Sequence, residues 1–299
     1  MSHIPRVFRI LSLLGMLAGL APANAAQIQL NGNSPYKCIA VENGNTANGT
    51  PVILYSCSGG PEDRWNYGDG QFQGIGTANG VTMCLDVKGQ GTTAGTLVDL
   101  YQCNGKQNQQ WELSGNGEIY GVQSGMCLDS KGGPSVGGGT QLVINPCSST
   151  AASQVWLVRG MQFQLNGNAP YNCITVNGGD TANGTAVISY NCGDAPPQVW
   201  NYIKDQLQGI GTNNGNSTCL TASGLTAGSL VTLSSCVTSE VTQEWVMYNG
   251  TIFGRPSSSE IVLSSGLCLD SSGGPSVGGG TQLVVETCTG AGSQNWNIR

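Results

Sequence analysis

The chain has 299 residues, of which only 9% are charged, with 46 glycines, 12 prolines and a formal net charge of −6. This acidic, sparsely charged composition lacks the basic footprint of a nucleic-acid binder, so a neutral partner fits it better. The single histidine is His3, which excludes a histidine-dependent triad or a His-ligated zinc in everything that follows it, and no metal or other cofactor is expected.

Taken in chain order, residues 1–25 read as a secretory signal peptide. Arg6 and Arg9 supply the positive start, Ile10 to Leu20 the apolar run, and Ala23-Asn24-Ala25 a small-x-small cleavage site. The run is too short for a membrane span, and no later stretch is long and apolar enough for one. Without the leader, Arg6 and Arg9 drop out of the basic count and the net charge becomes −8. A secreted protein, extracellular or periplasmic, is the expectation, and an oxidising compartment suits its cysteines.

Beyond the leader, short apolar runs alternate with Gly/Asn/Thr/Ser clusters, which predicts an all-β chain with many turns. Six times a cysteine is followed by a second cysteine and then a tryptophan at near-constant spacing. The pairs are Cys38/Cys57, Cys84/Cys103, Cys127/Cys147, Cys173/Cys192, Cys219/Cys236 and Cys268/Cys288, followed by Trp65, Trp111, Trp156, Trp200, Trp245 and Trp296. Five tryptophans close a Gln-x-Trp triplet that begins at Gln109, Gln154, Gln198, Gln243 or Gln294, whereas the first has Asp63 in the glutamine position. Within the second repeat, Val98-Asp99-Leu100-Tyr101 alternates with period two, placing Val98 and Leu100 inward and Asp99 and Tyr101 outward.

A short period alone would also suit a six-bladed propeller. A longer period overlies it. NGNSPYKCIAVENGNTANGT at Asn31–Thr50 returns as NGNAPYNCITVNGGDTANGT at Asn166–Thr185, and LDSKGGPSVGGGTQLV from Leu128 returns as LDSSGGPSVGGGTQLV from Leu269. The folding unit is therefore three repeats, duplicated, with domains at 26–159 and 160–299. No Gly/Ser or Pro linker separates them near Arg159-Gly160, so the halves should abut. With only 4 phenylalanines, the tryptophans must supply much of the core's bulk. Six cysteines per domain allow fifteen connectivities. One pair per repeat favours local closure, each loop contributing about 3 kcal/mol by loop-closure entropy.

The segment CLDVKGQGTTAGTLVDLYQCNGKQNQQW, Cys84 to Trp111, resembles the repeat of ricin B-chain-type lectins and the related family-13 carbohydrate-binding modules. The resemblance spans nearly all of the chain after the leader, twice over. It implies two tandem β-trefoil domains with three disulfide-stapled repeats each, and a shallow sugar pocket on each intact repeat. In that family a carboxylate takes two adjacent hydroxyls, an aromatic two residues before the second cysteine stacks on the ring, and an amide completes the set. The chemistry is sensible: a sugar offers an apolar face to the ring and a polar rim to charge-assisted hydrogen bonds.

Only the second repeat carries the whole set, with Asp86 as carboxylate, Tyr101 as stacking ring, Asp99 beside it, Asn108 as amide and Gln109 in support. The first and fourth keep Tyr55 and Tyr190 but have Ala40 and Thr175 in place of the aspartate. The third has Asp129 with Asn145 at the ring position, the sixth has Asp270 facing Glu286, and the fifth has Thr221 and Ser234. Asp129, Asn145 and Asp270 thus mark weaker candidate sites. Each aspartate also has a plainer reading, as a turn residue bonding its own backbone.

These residues predict a secreted, non-catalytic lectin that recognises galactose-type or xylan-type glycans or glycoconjugates, mainly through the second repeat of domain 1. Two competing readings are a targeting subunit that delivers a separate enzymatic or toxic chain, and a β-trefoil protein-interaction module such as a protease inhibitor. A third is a glycosidase using Asp86 and Asp99 as its carboxylate pair, against which the open pocket of the family argues.

Overall fold

The computed structural model describes residues 25–298 apart from 33–35, 78, 115–116, 133–135, 149, 166–170, 194, 214, 250–258, 264–265 and 273–278. The expected leader, except for Ala25, lies outside the described residues. Those residues form short strands and single 3-10 turns, with no α-helix.

Each repeat lays down four strand positions. In the second these are Gln71–Gln73, Met83–Val87, Val98–Gln102 and Trp111–Leu113. The middle two form a hairpin with Cys84 opposite Tyr101 and Asp86 opposite Asp99. The outer two enter a barrel. Asn66–Gly68 pairs with Gln71–Gln73, Trp111–Leu113 with Ile119–Gly121, and Gln27–Leu30 with Trp156–Met161. Backbone bonds from the tryptophans close the remaining gaps: Trp65 N to Ala26 O (2.8 Å), Trp111 N to Gly70 O (2.7 Å) and Trp156 N to Gly117 O (2.7 Å). Closure removes the sheet edges that short antiparallel strands would otherwise expose.

The three hairpins cap one end of the barrel in a cycle, through the pairs Thr50/Leu100, Leu97/Val143 and Thr140/Leu54. Residues 163–298 repeat the plan, with barrel pairs Phe163/Ile298, Asn201/Gln208 and Trp245/Leu263 and cap pairs Thr185/Leu233, Ser229/Val285 and Ile188/Gln282. Both halves are β-trefoils.

The six tryptophans are buried, and every indole Nε1 donates to the same backbone position, the carbonyl one residue after the repeat's first cysteine. The acceptors are Ile39 (2.9 Å), Leu85 (3.0 Å), Leu128 (3.0 Å), Ile174 (3.1 Å), Leu220 (2.8 Å) and Leu269 (3.1 Å). This satisfies the polar edge that an indole carries into a core and ties each barrel strand to its hairpin. The rings also explain a glycine: a Cβ on Gly74 would lie 2.7 Å from the Trp65 ring.

Every disulfide closes within its own repeat. The bonds are Cys38–Cys57, Cys84–Cys103, Cys127–Cys147, Cys173–Cys192, Cys219–Cys236 and Cys268–Cys288, which leaves no cysteine free. The two ends of each staple are not alike. The first cysteine lies on a hairpin strand and is buried, whereas the second stands just past the returning strand, outside the core. Cys57 follows the strand Thr50–Ser56 and Cys103 the strand Val98–Gln102, and both are only half-buried. Cys57 and Cys103 therefore tie the open end of their hairpins to the buried Cys38 and Cys84 without packing into the core themselves.

The two trefoils are joined without a linker. The strand Trp156–Met161 pairs with Gln27–Leu30 of the first trefoil and, on both sides of a bulge between Val158 and Met161, with Trp200–Ile203 of the second. Gly160 adopts φ 76°, and its N–H donates to Asn201 Oδ1 at 3.0 Å. A related contact pairs Ile298 with Tyr67. The partners Tyr202 and Tyr67 both stand two residues after the tryptophan of their domain's first repeat, so the halves meet through like elements.

Candidate functional site

A geometry common to the repeats sets the background. In the five Gln-x-Trp repeats the glutamine amide bridges the hairpin to the turn before the tryptophan. Gln109 Nε2 donates to Gln102 O (3.0 Å), and its Oε1 accepts from Asn104 N (2.8 Å), so the pair of bonds brackets Cys103. Gln154, Gln198, Gln243 and Gln294 make the same pair of backbone bonds around Cys147, Cys192, Cys236 and Cys288. In the first repeat Asp63 replaces the glutamine and, past Cys57, accepts from Ser58 N (2.6 Å) alone of that pair's positions. The second amide hydrogen of each glutamine goes to the side chain two residues after the first cysteine, at Asp86, Asp129, Thr175, Thr221 or Asp270. That position therefore has a scaffold duty in every such repeat.

What differs is the rest of the side chain. Asp129 Oδ1 accepts from Lys131 N (2.8 Å), while its Oδ2 takes both Gln154 (2.9 Å) and Asn145 Nδ2 (3.2 Å). Asp270 Oδ1 accepts from Ser272 N (3.0 Å), and its Oδ2 from Gln294 (2.9 Å) and Ser293 Oγ (3.2 Å). In both, the strand stops at the aspartate and the chain turns through a positive φ at Lys131 or Ser272. These aspartates bond their own turn, as Asp does readily.

Asp86 is placed differently. Its strand continues to Val87, and Lys88 N donates across the hairpin to Leu97 O (3.0 Å) rather than back to the aspartate. Asp86 Oδ2 takes Asn108 Nδ2 (2.8 Å) and Gln109 Nε2 (2.9 Å), and Oδ1 accepts nothing from the described residues. Asn108 also donates to Val87 O (3.1 Å), leaving its own Oδ1 buried and unpartnered.

The hairpin register sets Asp99 directly across from Asp86, on one face of the sheet. The alternation correctly separates Asp99 from Val98 and Leu100, but the outward expectation fails for it: Asp99 is only 3% exposed, with Oδ1 unpartnered. The preceding repeat covers it, because a Cβ on Gly49, a glycine at φ 86°, would stand 3.9 Å from Asp99 Oδ2. Burial foremost, and the neighbouring Asp86 charge next, push the Asp99 carboxyl up to about 7, against the opposing pull of Lys88. Burial also raises Asp86, opposed by the hydrogen bonds from Gln109 and Asn108 and by Lys106.

Tyr101, 41% exposed, stands beside this pair. Together they line an open cleft of about 410 Å³ whose walls include Asp86, Asp99, Tyr101, Asn108 and the two lysines Lys88 and Lys106. The cleft thus joins buried acceptor oxygens to one exposed aromatic face, a combination suited to a polyhydroxylated ring.

The family description "Ricin-type beta-trefoil lectin domain" matches residues 26–156 and again 161–296. The chain belongs to the ricin-type β-trefoil lectin family. Among solved structures it is similar to the agglutinin from Abrus precatorius, at 19% identity and a TM-score of 0.36 over 91% of this chain and 95% of that one. A non-toxic homologue of type II RIPs from Momordica charantia, in complex with α-methyl-D-galactoside, shares 20% identity at a TM-score of 0.36 over 92% and 97%. A designed three-fold symmetric protein, ThreeFoil, shares 29% identity at a TM-score of 0.39 over 45% and 97%. No curated protein matches the chain significantly.

In the lectin's first and fourth repeats, the exposed ring lacks carboxylate support. Tyr55 and Tyr190 are exposed, but Ala40 has no polar atom to offer. Thr175 turns its hydroxyl onto Cys173 O (2.9 Å), and Thr221 does the same to Cys219 O (2.9 Å). Glu286 pairs with Cys268 and Val284 with Asp270, the same diagonal relation that Tyr101 bears to Asp86, so the sixth repeat has a carboxylate where the second has its ring. Residues that the motif comparison missed are Asn48 and Gly49, which reach the cleft from the first repeat. Their signal was the Gly-Thr or Gly-Ser step present in every repeat, whose glycine N–H bonds the neighbouring hairpin, as Gly49 N does to Leu100 O (2.9 Å).

Proposed function

We propose that the protein is a secreted, non-catalytic lectin of two domains, residues 26–159 and 160–299, that binds glycans chiefly through the second repeat of domain 1. Galactose-type and xylan-type glycans are the candidate ligands. The observation that carries the reading is the free Oδ1 of Asp86, since the aspartates of the third and sixth repeats spend both oxygens on their own turn and neighbours. In the assigned roles, Asp86 accepts two adjacent sugar hydroxyls, Tyr101 stacks on the ring, and Asn108 and Gln109 hold the carboxylate in place. Asp129, Asn145 and Asp270 then serve the scaffold. Six disulfides are consistent with export to an oxidising compartment.

The test is a glycan array probed with the wild type beside Asp86→Ala and Tyr101→Ala. Both variants should lose most binding, by about tenfold or more for a charge-assisted pair or a stacked ring. Unchanged profiles in both would remove the second repeat from the function. Hydrolysis of a bound oligosaccharide that Asp86→Asn abolishes would replace the lectin reading with an enzymatic one.

A further inference from the structure

Recognition of neutral hydroxyls by Asp86 does not by itself require a second carboxylate at Asp99. The equivalent position in the other five repeats holds Ile53, Val143, Ile188, Thr232 or Val284, so a second carboxylate occurs only where the first has a free oxygen and an exposed ring. Placing like charges directly across a strand pair costs stability, as does burying a carboxylate oxygen without a partner. Asp86, Asp99 and Asn108 all line the cleft, and Asp86 Oδ1 together with the buried Asp99 Oδ1 and Asn108 Oδ1 are acceptors that none of the described residues engages.

The charged groups that line the cleft with Asp99 are Asp86 across the hairpin, Lys88 at the hairpin's own bend and Lys106 from the segment before Gln107. Asn48 and Gly49, on the packed loop of the first repeat, carry no charge. Both lysines are exposed, and among the described residues neither ion-pairs or hydrogen-bonds with a carboxylate. The cleft therefore lacks a buried donor with positive charge, which a ligand has to bring.

We propose that this cleft selects a sugar bearing a free ammonium group, such as a 2-amino-2-deoxyhexose, with the ammonium shared between Asp86 and Asp99. Cross-strand partners have Cβ atoms about 5 Å apart, a span that one ammonium with three N–H donors can bridge. Tyr101 takes the apolar face of the same ring. The inference rests on the lectin reading and narrows its ligand class.

Glucosamine and galactosamine are titrated against their N-acetyl forms and against neutral galactosides and xylo-oligosaccharides, by calorimetry at neutral pH and near-physiological salt. The wild type should favour the free amines by about tenfold, the value of one charge-assisted hydrogen bond. Asp99→Asn, nearly isosteric, should erase that preference, and Asp180→Asn, an equal charge change in domain 2, should leave it intact. Neutral sugars bound as well as amines, or a preference that survives Asp99→Asn, would overturn the ammonium assignment and leave the lectin reading standing. Binding lost on chelation would also overturn it, because the same oxygens would then hold a metal ion. If the wild type binds no sugar at all, the lectin reading itself fails.

Discussion

Replacing Asp99 by asparagine tests the electrostatics of the cleft without any ligand. The carboxyl of Asp99 sits near 7 in the folded chain against an ordinary 3.8, through burial first and the Asp86 charge second. Between those values the folded state binds a proton that the unfolded state has released. The stabilising contribution is thus complete below about pH 4 and is lost as pH rises through about 7. Each unit is worth 1.36 kcal/mol, so a shift of roughly three units caps the loss near 4 kcal/mol, and sharing between two carboxylates brings it to about 2–4 kcal/mol. Asparagine has no proton to lose. The variant should match the wild type near pH 4 and exceed it by about 2–4 kcal/mol near pH 8, read from guanidinium unfolding with the disulfides intact. Parallel stability curves for the two proteins from pH 4 to 8 would refute the reasoning.

Three further outcomes are expected. Asp63→Asn should destabilise the first repeat by about 1 kcal/mol, because the buried Asp63 accepts Ser58 N (2.6 Å) and Gly59 N (3.0 Å) through a charged Oδ2, and the new amide donor would find no side-chain acceptor at Ala40, where the other repeats have Asp or Thr; a raised melting temperature would contradict this. Trp111→Phe removes the donor to Leu85 O and orphans that buried carbonyl, so chemical unfolding should show a cost of about 2–3 kcal/mol, and an unchanged midpoint would count against the indole bond. Asn145→Tyr supplies the missing ring in the third repeat, yet the array profile should not gain a specificity, because Lys131 N and Gln154 still occupy Asp129; new binding would show that the ring alone was lacking.

The scaffold was readable from the sequence because its physics is the same six times. A disulfide, a buried indole and, in five repeats, a glutamine bridge solve one packing problem, and their spacing survives duplication. Spacing alone did not show that the staples are lopsided, with Cys38 and Cys84 in the core and Cys57 and Cys103 at its margin. The distinction between Asp86 and Asp129 was also present in the sequence, one residue further on. Val87, β-branched, continues the strand, whereas Ser130 and Ser271 stand where the chain bends toward the positive φ of the next residue. The burial of Asp99 was not readable. Period two assigns a face, but Gly49, which covers that face, comes from the neighbouring hairpin and meets it only when the cap closes.

The position two residues after the first cysteine explains why equivalent repeats do not make equivalent sites. Its scaffold task is to accept one hydrogen bond from the Gln-x-Trp amide, and a single oxygen suffices. Thr175 and Thr221 do this with a hydroxyl whose proton returns to the backbone, and are then fully satisfied. The proposed recognition calls for a second oxygen on the same side chain, which among the residues at this position only an aspartate provides, and for a backbone that does not claim it. In the third and sixth repeats the turn claims it through Lys131 N and Ser272 N; in the second, Lys88 N is spent on Leu97 O. The first repeat abandons the arrangement at both ends, with Ala40 and Asp63 substituted together. A repeat can thus lose its ligand oxygen without losing stability, and so the cysteines and tryptophans stay uniform while the sites diverge.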